Sequence, residues 1–220
     1  MNPPLLLSIQ VALPQTYGSD EATDDHDRCW TTGFFKQPIA GPVAVTTLGL
    51  AGDGQADLRF HGGPDKAVLA YSADHFPVWQ AELPQVLWSG GAFGENLTIA
   101  GLDEHQVCIG DIFAIGSVRL EVSQPRQPCW KLARRWRIDD LTRRVTHTGR
   151  SGWYHRVLEP GEIAAGQAVE LRSRPHPEWT ITRAQQVMYF EQENLPAAAA
   201  LAALPALAAT WRDAFQDRLK

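Results

Sequence analysis

At 220 residues, with 44% hydrophobic and 20% charged side chains, the chain is long enough for one full core plus a small appendage, and its composition is that of an ordinary globular protein. Its formal charge of −5 excludes a broad, sequence-independent grip on a nucleic-acid backbone, which needs a clustered excess of Lys and Arg. The three cysteines, Cys29, Cys108 and Cys129, cannot all pair and show no CxxC spacing, so a reducing cytoplasm is the expected setting.

The opening MNPPLLLSIQVALP lacks a basic leader and a small-residue cleavage site. It reads as a first strand over 5–11, and nothing in the chain approaches the roughly 18–20 continuous apolar residues of a membrane span. The acidic stretch SDEATDDHDRCW reads as a surface loop, in which His26 and Cys29 are too few to form a coordination sphere. Apolar, β-branched segments at 43–48 and 67–71 are predicted strands, bounded by Gly, Pro, Asn and Asp. A helix is predicted over 73–83, where Phe76, Trp79, Gln80 and Leu83 fall at helical spacing.

Strands over 107–115 and 118–123 flank Gly116-Ser117, where a tight turn is expected, and Val118, Leu120 and Val122 alternate with Arg119, Glu121 and Ser123. A second helix over 138–146 carries Asp139 and Asp140 at its favourable N-terminal end, and a last strand covers 168–171. The first 174 residues are therefore expected to form a mainly β domain, a sheet or barrel with flanking helices. After Arg174 the chain becomes rich in Ala and Leu, the strongest helix formers. Pro196 and Pro205 mark helix starts, and Trp211, Phe215 and Leu219 continue an apolar stripe. Residues 175–220 are expected to be a separate, docked appendage of two or three helices.

Three Gly- or Pro-marked segments place polar residues beside strands, where loops on a rigid scaffold build sites. In GDGQADLRFHGGPDKAVLAYS, Asp53, Gln55, His61, Asp65 and Lys66 surround Gly62-Gly63, whose backbone N–H groups can approach a phosphate or an oxo group closely. In GGAFGENLT, Glu95 and Asn96 precede a short strand, and Asn96 suits an unusual turn conformation. In SQPRQPCWKL, two prolines restrain the backbone before Cys129, while Arg126 and Lys131 favour negative charge on its sulfur. Such a sulfur is either a ligand for a soft metal or a nucleophile, and the motif alone leaves both open.

TGFFKQPI at 32–39, GDGQADLRFHGGPDKAV at 52–68, GAFGENLT at 91–98 and QPRQPCWKL at 124–132 together resemble the MOSC family, in its YiiM-like branch. The resemblance runs along nearly the whole chain, and the tail is similar to that branch's three-helix appendage. It implies a β-barrel-like MOSC domain binding molybdenum cofactor, a phosphorylated pterin dithiolene, with Cys129 as metal ligand. Lys36, Arg126 and Lys131 become candidates for its anionic end, and His61, Gly62, Asn96 and Gln124 for its pterin or for the metal's other ligands. Cys129, His61 and Arg126 are placed at the reacting centre.

The implied activity is reduction of N-hydroxylated bases such as 6-hydroxylaminopurine, N–OH to N–H with release of water. Three scattered cysteines cannot form a four-thiolate iron–sulfur site, and no GxGxxG follows a strand, so electrons are expected from a separate reductase. A carrier that holds the same cofactor without turnover would use the same residues. A thiol enzyme with His147 or His155 as base also stays open, whereas Cys108, Cys129 and His61 lack the spacing of a zinc site.

Overall fold

The computed structural model describes residues 3–220, and its centre is a curled sheet of eight strands. In chain order the strands begin with β1 (Leu5–Val11), β2 (Gln15–Tyr17), β3 (Trp30–Thr32), β4 (Gln37–Pro38), β5 (Val43–Thr46) and β6 (Gly49–Leu50). They continue with β7 (Val68–Ser72), β8 (Leu97–Ala100), β9 (Ile112–Ile115), β10 (Val118–Pro125), β11 (Trp153–Glu159), β12 (Gly161–Ile163) and β13 (Glu170–Ser173). The large sheet has the order β13-β9-β10-β11-β7-β8-β1-β4, and β12-β5-β6 and β2-β3 form two small sheets. Strands β7 and β8 pair in parallel, so their connection must cross over, and helix α1 (Phe76–Glu82) lies in it.

The expected hairpin forms where the alternation placed it. Val118 pairs with Ile115 across a turn with Gly116 at φ 54°, and Val118, Leu120 and Val122 are all buried. The alternation stops at Ser123, whose side chain turns inward and whose Oγ lies 2.5 Å from the carbonyl of Asp65 and 3.1 Å from that of Tyr154. The interior at this end of β10 is polar, and the site lies here.

Several elements differ from the sequence expectations for identifiable reasons. Residues 107–111 are not strand. Gly110 has φ 80°, Asp111 accepts the Cys108 N–H at 2.9 Å, and the Ile109 N–H goes to the carbonyl of Trp179. Val107 and Ile109 are apolar because they are buried, not because they are extended. The acidic loop is exposed over most of its length, but β2 and β3 flank it as a small sheet. A helix without an apolar period long enough to read, α2 (Lys131–Trp136), follows Cys129, and α3 (Leu141–Thr148) begins only after Asp140, whose carboxylate binds Arg143 and Arg144. Asn96 has no left-handed backbone; Gly94, at φ 73°, supplies that turn.

The tail forms three helices, α4 (Ile181–Tyr189), α5 (Leu195–Ala202) and α6 (Ala209–Asp217). Ile181, Val187, Leu201, Trp211 and Phe215 are buried in the same apolar cluster as Leu6, Val68 and Val122 of the sheet. Pro196 sits in the first turn of α5, where its missing N–H is harmless, but Pro205 lies in the turn before α6 and not at its start. The apolar stripe ends at Phe215, since Leu219 lies beyond α6 and is exposed. Asn194 caps α5, its side chain accepting the Ala197 N–H at 3.2 Å. Asn194→Ala should lower the unfolding free energy by about 1 kcal/mol in a urea titration, and an unchanged midpoint would remove this cap from the tail's stability.

Candidate functional site

A second apolar cluster, centred on Trp79, Trp88, Phe93 and Tyr71, fixes the walls around the site. Phe93 stacks on Tyr71 with centroids 4.1 Å apart and planes at 10°, and Leu132, Leu141 and Val145 bring α2 and α3 against it. The loop before β8 winds around one carboxylate. Glu95 accepts the N–H groups of Gly91 at 2.7 Å and Phe93 at 2.9 Å, and the Thr98 hydroxyl at 3.0 Å. Burial raises its pKa, and these three donors oppose that rise. At Gly94 a β-carbon would meet the Phe34 ring at 2.9 Å, so glycine is required by both contact and backbone.

Asp53 ties three segments that are distant in sequence. Its carboxylate accepts from the Ala12 N–H at 2.9 Å, from Asn96 Nδ2 at 2.9 Å and from Lys36 Nζ, and it is almost wholly buried. Asn96 completes the junction, its Oδ1 accepting the Leu69 N–H at 3.1 Å and its Nδ2 also reaching the Gln10 carbonyl. Its amide is therefore engaged with the protein itself. Burial lowers the Lys36 pKa, and Asp53 opposes the fall.

Around this junction opens a cavity of about 80 Å³. Lys36, His61, Gly62, Asn96, Arg126, Cys129 and Lys131, which come from four separate sequence segments, all line it. Gln124 does not. It lines a larger outer chamber of about 690 Å³, open to solvent, which shares His61, Lys66, Cys129, Lys131 and Tyr154 with the inner one. The half-buried Cys129 thus stands where two cavities meet.

Lys36, Lys66, Arg126 and Lys131 face the inner cavity against a single carboxylate, Asp53. Arg126 donates through Nη2 to the Phe93 carbonyl at 3.2 Å, while its buried Nη1 has no partner in the protein. His61 Nδ1 is also buried without a partner. Burial, then the positive charges of Lys131, Lys66 and Arg126, lower the His61 pKa and keep the ring neutral at pH 7. Gly62 and Gly63, both at φ 81°, turn the backbone beside it. Buried polar atoms left unpaired are costly, so these atoms point to a ligand that pairs them.

The chemistry of this lining fits an anionic, metal-bearing cofactor. It has cations for negative charge, polar atoms in want of partners and one soft sulfur ligand. Among the described residues no group of three or more His, Cys, Asp and Glu could hold a bare metal ion. Cys108 lies elsewhere, its Sγ against the carbonyl of Pro177. His147 is exposed on α3, and His155 is buried on β11 with Trp153 Nε1 donating to its Nε2 at 3.2 Å. Neither lines a cavity with Cys129, so the bases considered for a thiol nucleophile are not in place.

Asp65 also faces away from the cavity. It pairs with Arg156 at 2.7 Å and accepts the Ala209 N–H, fastening the tail to the loop before β7. Sequence reasoning missed Tyr154, which lines both cavities and whose pKa burial raises to about 12. The signal was available in part, since Tyr154 pairs with Gln124 across β10 and β11 and so sits at the strand end that delivers Cys129.

A curled, mainly antiparallel sheet here presents one thiol at the mouth of a cation-lined pocket. The MOSC domain family matches residues 57–170, the YiiM-like 3-alpha helix domain matches residues 179–220, and the chain belongs to the MOSC family in its YiiM-like branch. It is 42% identical to the uncharacterized protein YflK of Bacillus subtilis, over 97% of this chain and 95% of that one. A Gibberella moniliformis protein named a reductase is 39% identical over 86% of this chain, which spans 34% of that longer protein. The crystal structure of YiiM from Geobacillus stearothermophilus superposes with a TM-score of 0.83 at 38% identity, covering 99% of this chain and all of the other. YiiM from Escherichia coli superposes at 0.75 with 30% identity, over 93% and 90% of the two chains.

Proposed function

We propose that this protein is a molybdenum-cofactor-dependent reductase of N-hydroxylated substrates. The observation that carries the reading is Cys129 at the junction of the two cavities, with four cations and the unpaired His61 Nδ1 and Arg126 Nη1 around the inner one. Family membership and the reductase name of one relative support an enzyme. No described helix is long and apolar enough to cross a membrane, and the reducing cytoplasm suits an enzyme that depends on a free thiol.

When bound, the cofactor supplies a metal that accepts oxygen in a two-electron step. The chain's part is to hold and orient. Cys129 Sγ would be the metal ligand, and Lys36 and Arg126 on the inner wall, with Lys66 and Lys131 lining both cavities, would offset the cofactor's negative charge. Neutral His61 offers Nδ1 as a hydrogen-bond partner, and Asn96 acts by fixing Asp53 and through it Lys36. The substrate would approach from the outer chamber, where Tyr154, its pKa raised by burial to about 12, would offer its hydroxyl proton as a hydrogen-bond donor. The overall change, R–NHOH plus two electrons and two protons to R–NH2 and water, draws its electrons from a separate reductase.

The test is elemental analysis of protein from a cofactor-producing host, native against Cys129→Ala. Near-stoichiometric molybdenum that falls at least about tenfold in the variant is expected, together with dithionite-viologen-driven reduction of 6-hydroxylaminopurine by the native protein alone. Equal molybdenum in both proteins would remove Cys129 as the ligand. Retained metal without turnover would make the protein a cofactor carrier.

A further inference from the structure

The outer chamber has a lining different from that of the inner cavity. Trp130 is 54% exposed and Phe60 is 65% exposed, and both line this one chamber, where exposed aromatic rings gathered in a concave wall suit a ligand. Trp130 packs into an aromatic and cationic cluster. Its ring lies 5.4 Å from Trp30, and the Arg134 guanidinium sits over both rings, 4.9 Å from Trp30 and 5.6 Å from Trp130. Arg134 is itself anchored by the carbonyls of His26 and Arg28 in the acidic loop, so this loop braces an aromatic platform at the mouth.

The charges on this wall are one-sided. Lys66 donates to the Phe60 carbonyl at 2.9 Å, Lys131 lies over Trp130, and Arg134 binds backbone carbonyls. Among the described residues none of these three cations forms an ion pair, in a chain that carries more acidic than basic side chains. The one carboxylate of the chamber, Asp57, is neutralised by Arg59, which it binds at 3.0 and 3.1 Å. A flat aromatic face flanked by unpaired cations recognises a planar heteroaromatic ring joined to a negatively charged group.

We propose that the outer chamber is a nucleotide-binding subsite, in which the base stacks on Trp130 and the phosphate meets Lys66, Lys131 and Arg134. The substrate class is then an N-hydroxylated base carried as its nucleotide, in preference to the free base. This rests on the reading of the site as a reductase, but the contacts belong to the protein alone. They are therefore open to measurement with an unreactive nucleotide.

Calorimetric titration of the purified protein with adenosine 5′-monophosphate, adenosine and inorganic phosphate is the test, repeated with Trp130→Ala, Trp130→Phe and Phe60→Ala. The monophosphate should bind at least about tenfold more tightly than adenosine, and Trp130→Ala should weaken it by a similar factor while Trp130→Phe stays within about threefold of native. Phe60→Ala should weaken it less than Trp130→Ala does.

Equal affinity for adenosine and its monophosphate would overturn the phosphate contacts. Binding of the monophosphate unaffected by Trp130→Ala, or matched by inorganic phosphate, would overturn the stacking platform. The two readings fail separately. Molybdenum lost in Cys129→Ala alongside no nucleotide binding overturns this inference alone, and nucleotide binding by a protein that never holds molybdenum overturns the proposed function alone.

Discussion

Asp53→Ala should lower the unfolding free energy by about 3–5 kcal/mol and, in protein that still folds, sharply reduce the molybdenum retained. The stability term follows from what is stranded. Lys36 is buried with Asp53 as its ion-pair partner, and the Ala12 N–H and Asn96 Nδ2 lose a buried acceptor at the same time. Removing one member of a buried pair leaves an uncompensated charge, which costs far more than the pair itself is worth. Lys36→Met combined with Asp53→Leu should therefore be less damaging than Asp53→Ala alone, and a double-mutant cycle in urea measures the difference. Additive costs would show that the two side chains do not act as a pair.

The functional term follows from the same contacts. Burial already lowers the Lys36 pKa, and Asp53 is the first group that opposes it. Without that carboxylate the ammonium gives up its proton more readily, and the inner cavity loses one of its four cations. The Asn96 amide would also be released from one side, loosening the bridge between the loop before β8 and the rest of the cavity wall. Molybdenum content should fall in the double variant too, although its fold is largely restored. That divergence between stability and metal content separates a cation needed for the cofactor from one needed only for packing.

How much of this was readable depends on whether the cause was local. The hairpin at Gly116-Ser117 was legible because Val118, Leu120 and Val122 alternate within one strand, and the helical tail because Ala and Leu carry their preference in every window. Cys129, Arg126 and Lys131 could be picked out because their chemistry is unusual among prolines. The turn at 107–111 was hidden, since Val107 and Ile109 are buried by partners in β10 and before α4, and local sequence cannot distinguish that from a buried strand. Helix α2 was hidden because only Leu132 of its six residues is buried.

The same reasoning applies to the site. Asp53 stood out as polar and close to a Gly-rich turn, but its pairing with Lys36 joins segments 17 positions apart and its bond to Asn96 joins segments 43 apart. The four motifs could be set in order along the chain, yet their convergence on one cavity is a product of topology. Strand β10 ends at Pro125 beside the start of β11, which is why Tyr154 faces Cys129 from a segment with no motif of its own. Lys66 illustrates the opposite case: adjacent in sequence to Asp65, it lines the cavity while Asp65 turns to the tail.

Stability should fall by roughly 2 kcal/mol between pH 7 and pH 5, and His155→Leu should remove most of that loss. His155 is buried on β11, and burial lowers its pKa to about 3. The unfolded chain takes up a proton near pH 6.5 while the folded chain does not, so acid favours the unfolded state. The stabilisation is complete above the unfolded pKa and is lost progressively as the pH drops towards 3. Trp153 Nε1 donates to His155 Nε2, a contact that exists only while that nitrogen is unprotonated.

His61, whose pKa is also lowered, adds to the loss with the same sign. Comparing native protein with His155→Leu therefore isolates the contribution of His155. Urea midpoints at pH 7, 6 and 5 give the two slopes, and parallel slopes would show that His155 is not the group responsible. The strand that carries His155 also carries Tyr154 into the junction of the two cavities. Protonation of His155 should thus disturb the site through its scaffold, and acid inactivation should track the loss of β11 packing, measured by hydrogen exchange.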